Sequence, residues 1–180
     1  MTRSRLDRLT ASLLNSNLDA VILNPGPTLK YLTGINFHLM ERPVVLFVSP
    51  GKDPVLVLPE LELPKVDLFP YKVQGIAYGE NPSEWDNAFR KAAQALGLDG
   101  KRIGLEPRQL RLLEFRHVKA GAPEADFPDA SAVLADLRLR KDKAEVDAMR
   151  RAHLMFGAWT STGEFKLRQD EHRVFSRRDK

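Results

Sequence analysis

Leu6, Leu9, Leu13 and Leu14 recur at the spacing of one helical face, so the chain opens with an amphipathic helix. Asp19 then introduces Ala20-Val21-Ile22-Leu23-Asn24, a short unbroken apolar run of strand type. Pro25 and Pro27 stop it, and Pro27 suits the first turn of a short helix, where its missing N–H costs nothing. That helix carries Leu29 and Leu32 and ends at Gly34, which accepts a positive φ. Two further apolar runs, 44–48 and 55–58, flank Ser49-Pro50-Gly51-Lys52-Asp53, whose turn chemistry predicts a hairpin. The run 73–78 adds another strand.

Helical periodicity returns after Asn81, an N-cap candidate followed by Pro82. Trp85, Ala88, Phe89, Ala92 and Leu96 form one stripe, and Gly97 closes it. The pattern predicts a strand over 102–106, a helix over 107–121 and a short strand over 125–127. A hairpin followed by alternating strands and helices implies an α/β fold with a mixed sheet covered by helices on both faces. At the end of this region stands LRLRKDKAEVDAMRRA, residues 137–152, in which Asp142 and Glu145 make a capping-box-like start. Val146, Met149 and Ala152 give it only a narrow apolar stripe, so it wants a neighbour to lie against. The predicted organisation is an α/β domain over 1–136, a linker helix over 137–156 and an irregular tail over 157–180.

Composition narrows the function classes. At 43% hydrophobic and 29% charged the chain is an ordinary globular protein with enough length for a core. It has no cysteine, which excludes disulfides and zinc–thiolate sites. No apolar run reaches the ~20 residues of a membrane span, and the first residues lack the apolar region of a signal peptide, so no membrane is expected and the cytoplasm is the default location. The net charge of +4 is unevenly placed: residues 1–136 hold 16 Lys and Arg against 17 Asp and Glu, whereas 137–180 hold 12 against 7. A nucleic-acid reader would carry its basic face on the folded domain, so no nucleic acid is expected as a partner.

Chemistry-bearing residues are few. His38, Glu41 and Arg42 fall in a polar loop, where Arg42 would serve nearby backbone carbonyls. His117, near the end of its helix, complements the helix dipole. Trp85 and Phe89 belong to the core. The segment GAWTSTGEF, 157–165, holds hydroxyls but no histidine placed to activate one.

The amphipathic first helix into DAVIL, the Tyr31-Leu32-Thr33-Gly34 motif, the loop into ERPVVLFV and the LRLRKDKAEVDAMRRA helix occur in one order. Together they resemble the N-terminal domain of the creatinase/prolidase/aminopeptidase P family, the pita-bread metallopeptidases. The resemblance spans about Ser4 to Ala152. It implies a three-layer α/β/α, ribonuclease H-like fold, with Tyr31 packing the short helix and Gly34 releasing the chain from it. It also implies a following catalytic domain that cleaves the bond before proline. There, two divalent metal ions (Mn, Co or Zn) are held by two aspartates, a histidine and two glutamates, and a bridging water becomes the nucleophile. Relatives form oligomers in which the loop carrying His38, Glu41 and Arg42 approaches the partner's catalytic pocket and helps gate substrate.

This chain is expected to supply none of the catalytic or metal-ligating residues. After the linker only Asp147, His153, Glu164, Asp170, Glu171, His172 and Asp179 remain, with no strand scaffold to converge them. Catalytic silence, no cofactor in this chain, homo-oligomerisation, and proline-containing peptides as ligands only of the intact enzyme are the resulting expectations. The tail departs from the family pattern after Ala152, and a shifted reading frame, appended residues and a native extension all stay open. Two alternatives stand beside the accessory-domain reading. One is a peptide- or protein-binding module without chemistry, as in a histone-chaperone subunit of this architecture; the other is the N-terminal domain of a creatinase-like hydrolase.

Overall fold

Eight apolar residues on two neighbouring strands, β1 (Ala20–Leu23) and β2 (Val45–Val48), are all buried and set the architecture around them. The computed structural model describes residues 2–139, 141, 143–162, 164–166 and 174–176, and the side chains of 5–139, 141 and 143–153. The chain divides into two units, Met1–Leu139 and Arg140–Lys180.

In the first unit, β3 (Val55–Pro59), β4 (Gln74–Tyr78) and β5 (Ile103–Gly104) join β1 and β2 in one sheet of order β4-β3-β2-β1-β5. β2 runs antiparallel to both β1 and β3, while β4 is parallel to β3 and β5 parallel to β1. Because side chains alternate along a strand, Ile22, Phe47 and Val57 point to one face. There they meet α3 (Trp85–Leu96) and α4 (Leu112–Gly121). Leu23, Leu46 and Leu58 point to the other, where α1 (Thr2–Asn15), α2 (Pro27–Thr33) and α5 (Ser131–Leu139) cover them. The fold is therefore the three-layer α/β arrangement with a mixed sheet that the pattern predicts. Phe89 sits at the centre of one layer, its ring 6.2 Å from Phe47 and 5.2 Å from His117. Truncating such a phenylalanine to alanine costs about 3–5 kcal/mol.

Local chemistry explains most element ends. Pro27 starts α2, and the Gly34 N–H donates to Lys30 O at 2.8 Å with φ of 75°. The Thr33 hydroxyl donates to Leu29 O at 2.9 Å and accepts the Ile35 N–H at 3.0 Å, so two adjacent residues close the helix. The hairpin turns through Gly51 and is tied to α3 by Lys52 Nζ donating to Leu96 O at 2.7 Å. Asn81 caps as expected, accepting the Ser83 N–H, but it caps a 3-10 turn, Pro82–Glu84, that feeds α3.

Several expectations are corrected. Leu14 does not share the buried face of α1: it is 69% exposed, while Leu9 and Leu13 are fully buried, because one helical step carries it off the face. The helix predicted over 107–121 begins only at Leu112. The short strand at 125–127 reduces to two parallel bridges, Arg102 to Asp126 and Leu105 to Asp129. A 3-10 segment over Glu60–Leu68 was not anticipated, nor was α5, at whose start the Asp129 carboxylate accepts the Ser131 N–H at 2.6 Å. Hydrogen bonds from the Ser131 hydroxyl and then its backbone N–H hold the Asp129 carboxyl below its ordinary range.

The second unit holds α6 (Lys143–Thr162) and the antiparallel pair β6 (Glu164–Lys166) and β7 (Val174–Ser176). Where one helix was expected over 137–156, α5 ends at Leu139 and α6 begins at Lys143. Helix and paired strands also occupy part of 157–180, which was expected to be irregular. Asp142 of the expected capping box lies outside the described residues. No helix among them is long and apolar enough to cross a membrane.

Since Gly34 holds a left-handed conformation with open space around its Cα, a Gly34→Ala variant should lose about 1 kcal/mol through backbone strain alone. Denaturant melts check this, and an unchanged midpoint would contradict it.

Candidate functional site

Residues 35–44 carry the chain from the end of α2 back to β2, and the two ends of this segment are pinned. At the near end, Phe37 is buried, with the Phe69 ring 6.3 Å away and the Lys65 ammonium 5.0 Å from its ring centroid. At the far end, the Tyr78 hydroxyl donates to Pro43 O at 2.6 Å, and Trp85 packs 5.1 Å from the Tyr78 ring. Burial holds the Tyr78 phenol above its ordinary range, as it does that of Tyr71 beneath Phe69. Arg42 is ion-paired with Glu80 just beyond β4. Between these anchors His38, Leu39, Met40 and Glu41 are exposed.

His38, Glu41 and Arg42 all lie on this segment, the rim, but in different surroundings: His38 and Glu41 are exposed and Arg42 is ion-paired. Arg42 does not serve backbone carbonyls as expected; the Pro43 carbonyl is taken by Tyr78, and the guanidinium reaches a carboxylate 38 residues away. Tyr31 lies against the α1/α2 layer with the Arg5 guanidinium 3.9 Å above its ring. Leu32 and Thr33 are buried, so the Tyr31–Gly34 motif is framework for the rim.

Sequence reading missed a second polar cluster at the carboxyl ends of β1 and β5. Asn24 is only 1% exposed, and neither its amide nitrogen nor its amide oxygen has a hydrogen-bond partner. The β1–β5 register, continued past Val21 and Gly104, sets Leu23 beside Glu106. The Thr28 hydroxyl donates to Glu106 Oε1 at 2.6 Å, while Oε2 is buried without a partner. Burial raises the Glu106 pKa, opposed by the Thr28 hydrogen bond and the charge of Arg138. Asn24 was legible as a strand end, but the bond from Thr28 to a glutamate 78 residues on carries no local signal.

His117 does not complement a helix end as expected. Its Nδ1 lies 2.6 Å from Asp86 Oδ1 on α3, and its ring stacks on Phe89, so it bridges two helices. Glu114 is fully buried and gripped by the Arg111 guanidinium, with Nε 2.9 Å from Oε1. Among the described residues no three His, Asp or Glu side chains converge on one point. The two-metal centre implied by the resemblance therefore does not fit the described residues, and no hydrolytic step is assigned to them. The side chains of 157–165, Asp170, Glu171, His172 and Asp179 lie outside the described residues.

A mixed five-stranded sheet covered by helices on both faces defines a three-layer α/β domain. The chain belongs to the creatinase/prolidase N-terminal domain family, which matches residues 5–140. It is 24% identical over 152 residues to the Xaa-Pro dipeptidase of Lactobacillus helveticus, covering 82% of this chain and 40% of that protein. A proline dipeptidase structure from Streptococcus pneumoniae TIGR4 superposes with a TM-score of 0.63 at 28% identity, over 76% of this chain and 98% of that one. Dipeptidase PepE from Mycobacterium ulcerans superposes with a TM-score of 0.75 at 23% identity, over 90% of this chain and 43% of that one. The chain spans less than half the length of the curated relatives it matches, 46% and 40%.

The raised Glu106 pKa makes a signed prediction. The folded state holds this proton more tightly than the unfolded chain, so stability falls as pH rises from the ordinary glutamate value through the folded one. Glu106→Gln should flatten that part of the profile in denaturant melts taken from about pH 4 to pH 7. Parallel profiles for the two proteins would contradict it.

Proposed function

We propose that this chain is the accessory N-terminal domain of a cytoplasmic Xaa-Pro dipeptidase, serving self-association and substrate gating, with hydrolysis carried out by residues outside it. The observation that carries the reading is the rim itself. Its ends are pinned by Phe37 and by the Tyr78–Pro43 and Arg42–Glu80 contacts, while His38 to Glu41 are left to water. A loop held this way presents polar side chains at a fixed position without using them for stability, which is what a gate over a neighbouring pocket requires. The dipeptidase assignment is supported by family membership and by the names of the relatives. In the intact enzyme two divalent metal ions would supply the activated water, held by ligands that the described residues lack.

The exposed Leu39 and Met40 favour, as a second reading, a module that binds peptides or proteins without chemistry. The two readings diverge when the rim variants below are presented with an intact dipeptidase of the family.

Purified chain supplied with manganese or cobalt should not cleave an Xaa-Pro dipeptide; turnover that follows the chain through purification and is abolished by a chelator would overturn the silent-domain reading. Replacing His38 and Glu41 together by alanine should leave the denaturation midpoint within about 0.5 kcal/mol of the parent. A larger loss would make these residues structural and remove them from the gate.

A further inference from the structure

The two edges of the sheet are treated differently. At the β5 edge, Ile103 N–H donates to Asp126 O and Leu105 N–H to Pro128 O, both at 2.8 Å, so residues 126–130 close it. At the other edge, among the described residues, β4 pairs with β3 alone. Gln74 N–H donates to Pro54 O at 2.9 Å, which turns residues 74, 76 and 78 toward β3. By alternation the N–H and C=O of Gly75 and Ala77 point outward. Gln74-Gly75-Ile76-Ala77-Tyr78 contains no charge and no proline, the usual devices that protect an open edge. Its flanks are charged and opposite: Lys72 is 84% exposed and Glu80 is 77% exposed. Leu63 and Val66 of the 3-10 segment lie over Gly75, and Leu61 and Leu68 of that segment are 82% and 68% exposed.

We propose that the β4 edge is the pairing surface for a second copy of this chain, joined antiparallel about a two-fold axis at Ile76. This rests on the self-association in the reading above and locates it. Antiparallel pairing needs outward groups opposite outward groups, which allows Gly75 opposite Gly75, Gly75 opposite Ala77, or Ala77 opposite Ala77. Only the middle register also sets Lys72 opposite Glu80 of the second copy, and it does so twice. In that register Gly75 and Ala77 exchange hydrogen bonds, and the two Ile76 residues form the non-hydrogen-bonded pair at the axis. The sheet becomes continuous across the pair, and the leucine-bearing 3-10 segments come side by side on one face.

Sedimentation velocity of the 180-residue chain over a concentration series tests this. Lys72→Glu or Glu80→Lys alone sets like charges opposite one another at both flanks. Each should weaken association about tenfold, the scale of two cross-strand pairs turning from attraction to repulsion. The double reversal should restore it. The chain has no cysteine, so Ile76→Cys gives a second readout: the paired Cα atoms, about 4.5 Å apart in this register, are within disulfide range. Mild oxidation should therefore yield a covalent dimer. Association that ignores both charge reversals, or is not restored by the double variant, overturns the β4 register and leaves self-association standing elsewhere. A chain that is monomeric throughout overturns both.

Discussion

The side chains of β1 and β2 leave the sheet in both directions, and every one of them is buried, so neither face can be left to water. At about 25 cal/mol per Å² of apolar surface, leaving either face of these strands to water would forfeit much of the stability their burial supplies. Two-sided burial requires helices on both faces, and the chain supplies them by alternating sides. α1, α2 and α5 cover Leu23, Leu46 and Leu58, while α3 and α4 cover Ile22, Phe47 and Val57. The parallel pairing of β5 to β1 follows from the crossover through the rest of the chain that this layering needs.

The rim is a consequence of the same constraint. α2 must end over the sheet so that the chain can return to β2, and the return segment spans the gap between a helix layer and a central strand. A segment in that position would fray unless tied down. The buried Phe37 ring, the Tyr78 hydroxyl on Pro43 O and the Arg42–Glu80 pair do this at separate points. The polar atoms at the β1/β5 end are placed differently. Asn24 at the end of β1 and Glu106 just past β5 each keep buried polar atoms without a partner, and these burden the fold. One group of polar residues is held in the open by the framework; the other is enclosed by it.

Much of the fold was legible because its signals are local. Turn chemistry at 49–53 predicted the β2–β3 hairpin, Pro27 and Gly34 bracketed α2, and the Trp85–Leu96 stripe predicted α3 with its buried face. What escaped lacked a local period or depended on distant partners. The 3-10 segment Glu60–Leu68 contains Pro64 and has no amphipathic repeat, because its leucines serve the sheet and the surface in turn. α5 was hidden by the continuous charged pattern that begins at Leu137, and its start is set by Asp129 in what looked like a loop. Of the candidate site, the exposure of His38 and Glu41 was readable from their polar neighbourhood. The Arg42–Glu80 pair and the Thr28–Glu106 bond, 38 and 78 residues apart, could not be read before the layers were assembled.

A lone domain of this kind would be expected to blunt both edges of its sheet, since an unpaired, uncharged strand invites any other strand. This one closes the β5 edge with its own chain at 126–130 and, among the described residues, leaves β4 paired with β3 alone, the backbone groups of Gly75 and Ala77 turned outward. The charges that might have guarded β4 stand at its two ends, opposite in sign and engaged with Asp53 and Arg42 within the chain. Guarding charges act by facing their like across a mismatched strand, and a pair of opposite signs at symmetric distances does the reverse for one register only. The edge is therefore open to a copy of itself and poorly matched to a strand of arbitrary charge. That selectivity suits the proposed gating role, in which rim residues exposed in the single chain act against a neighbour.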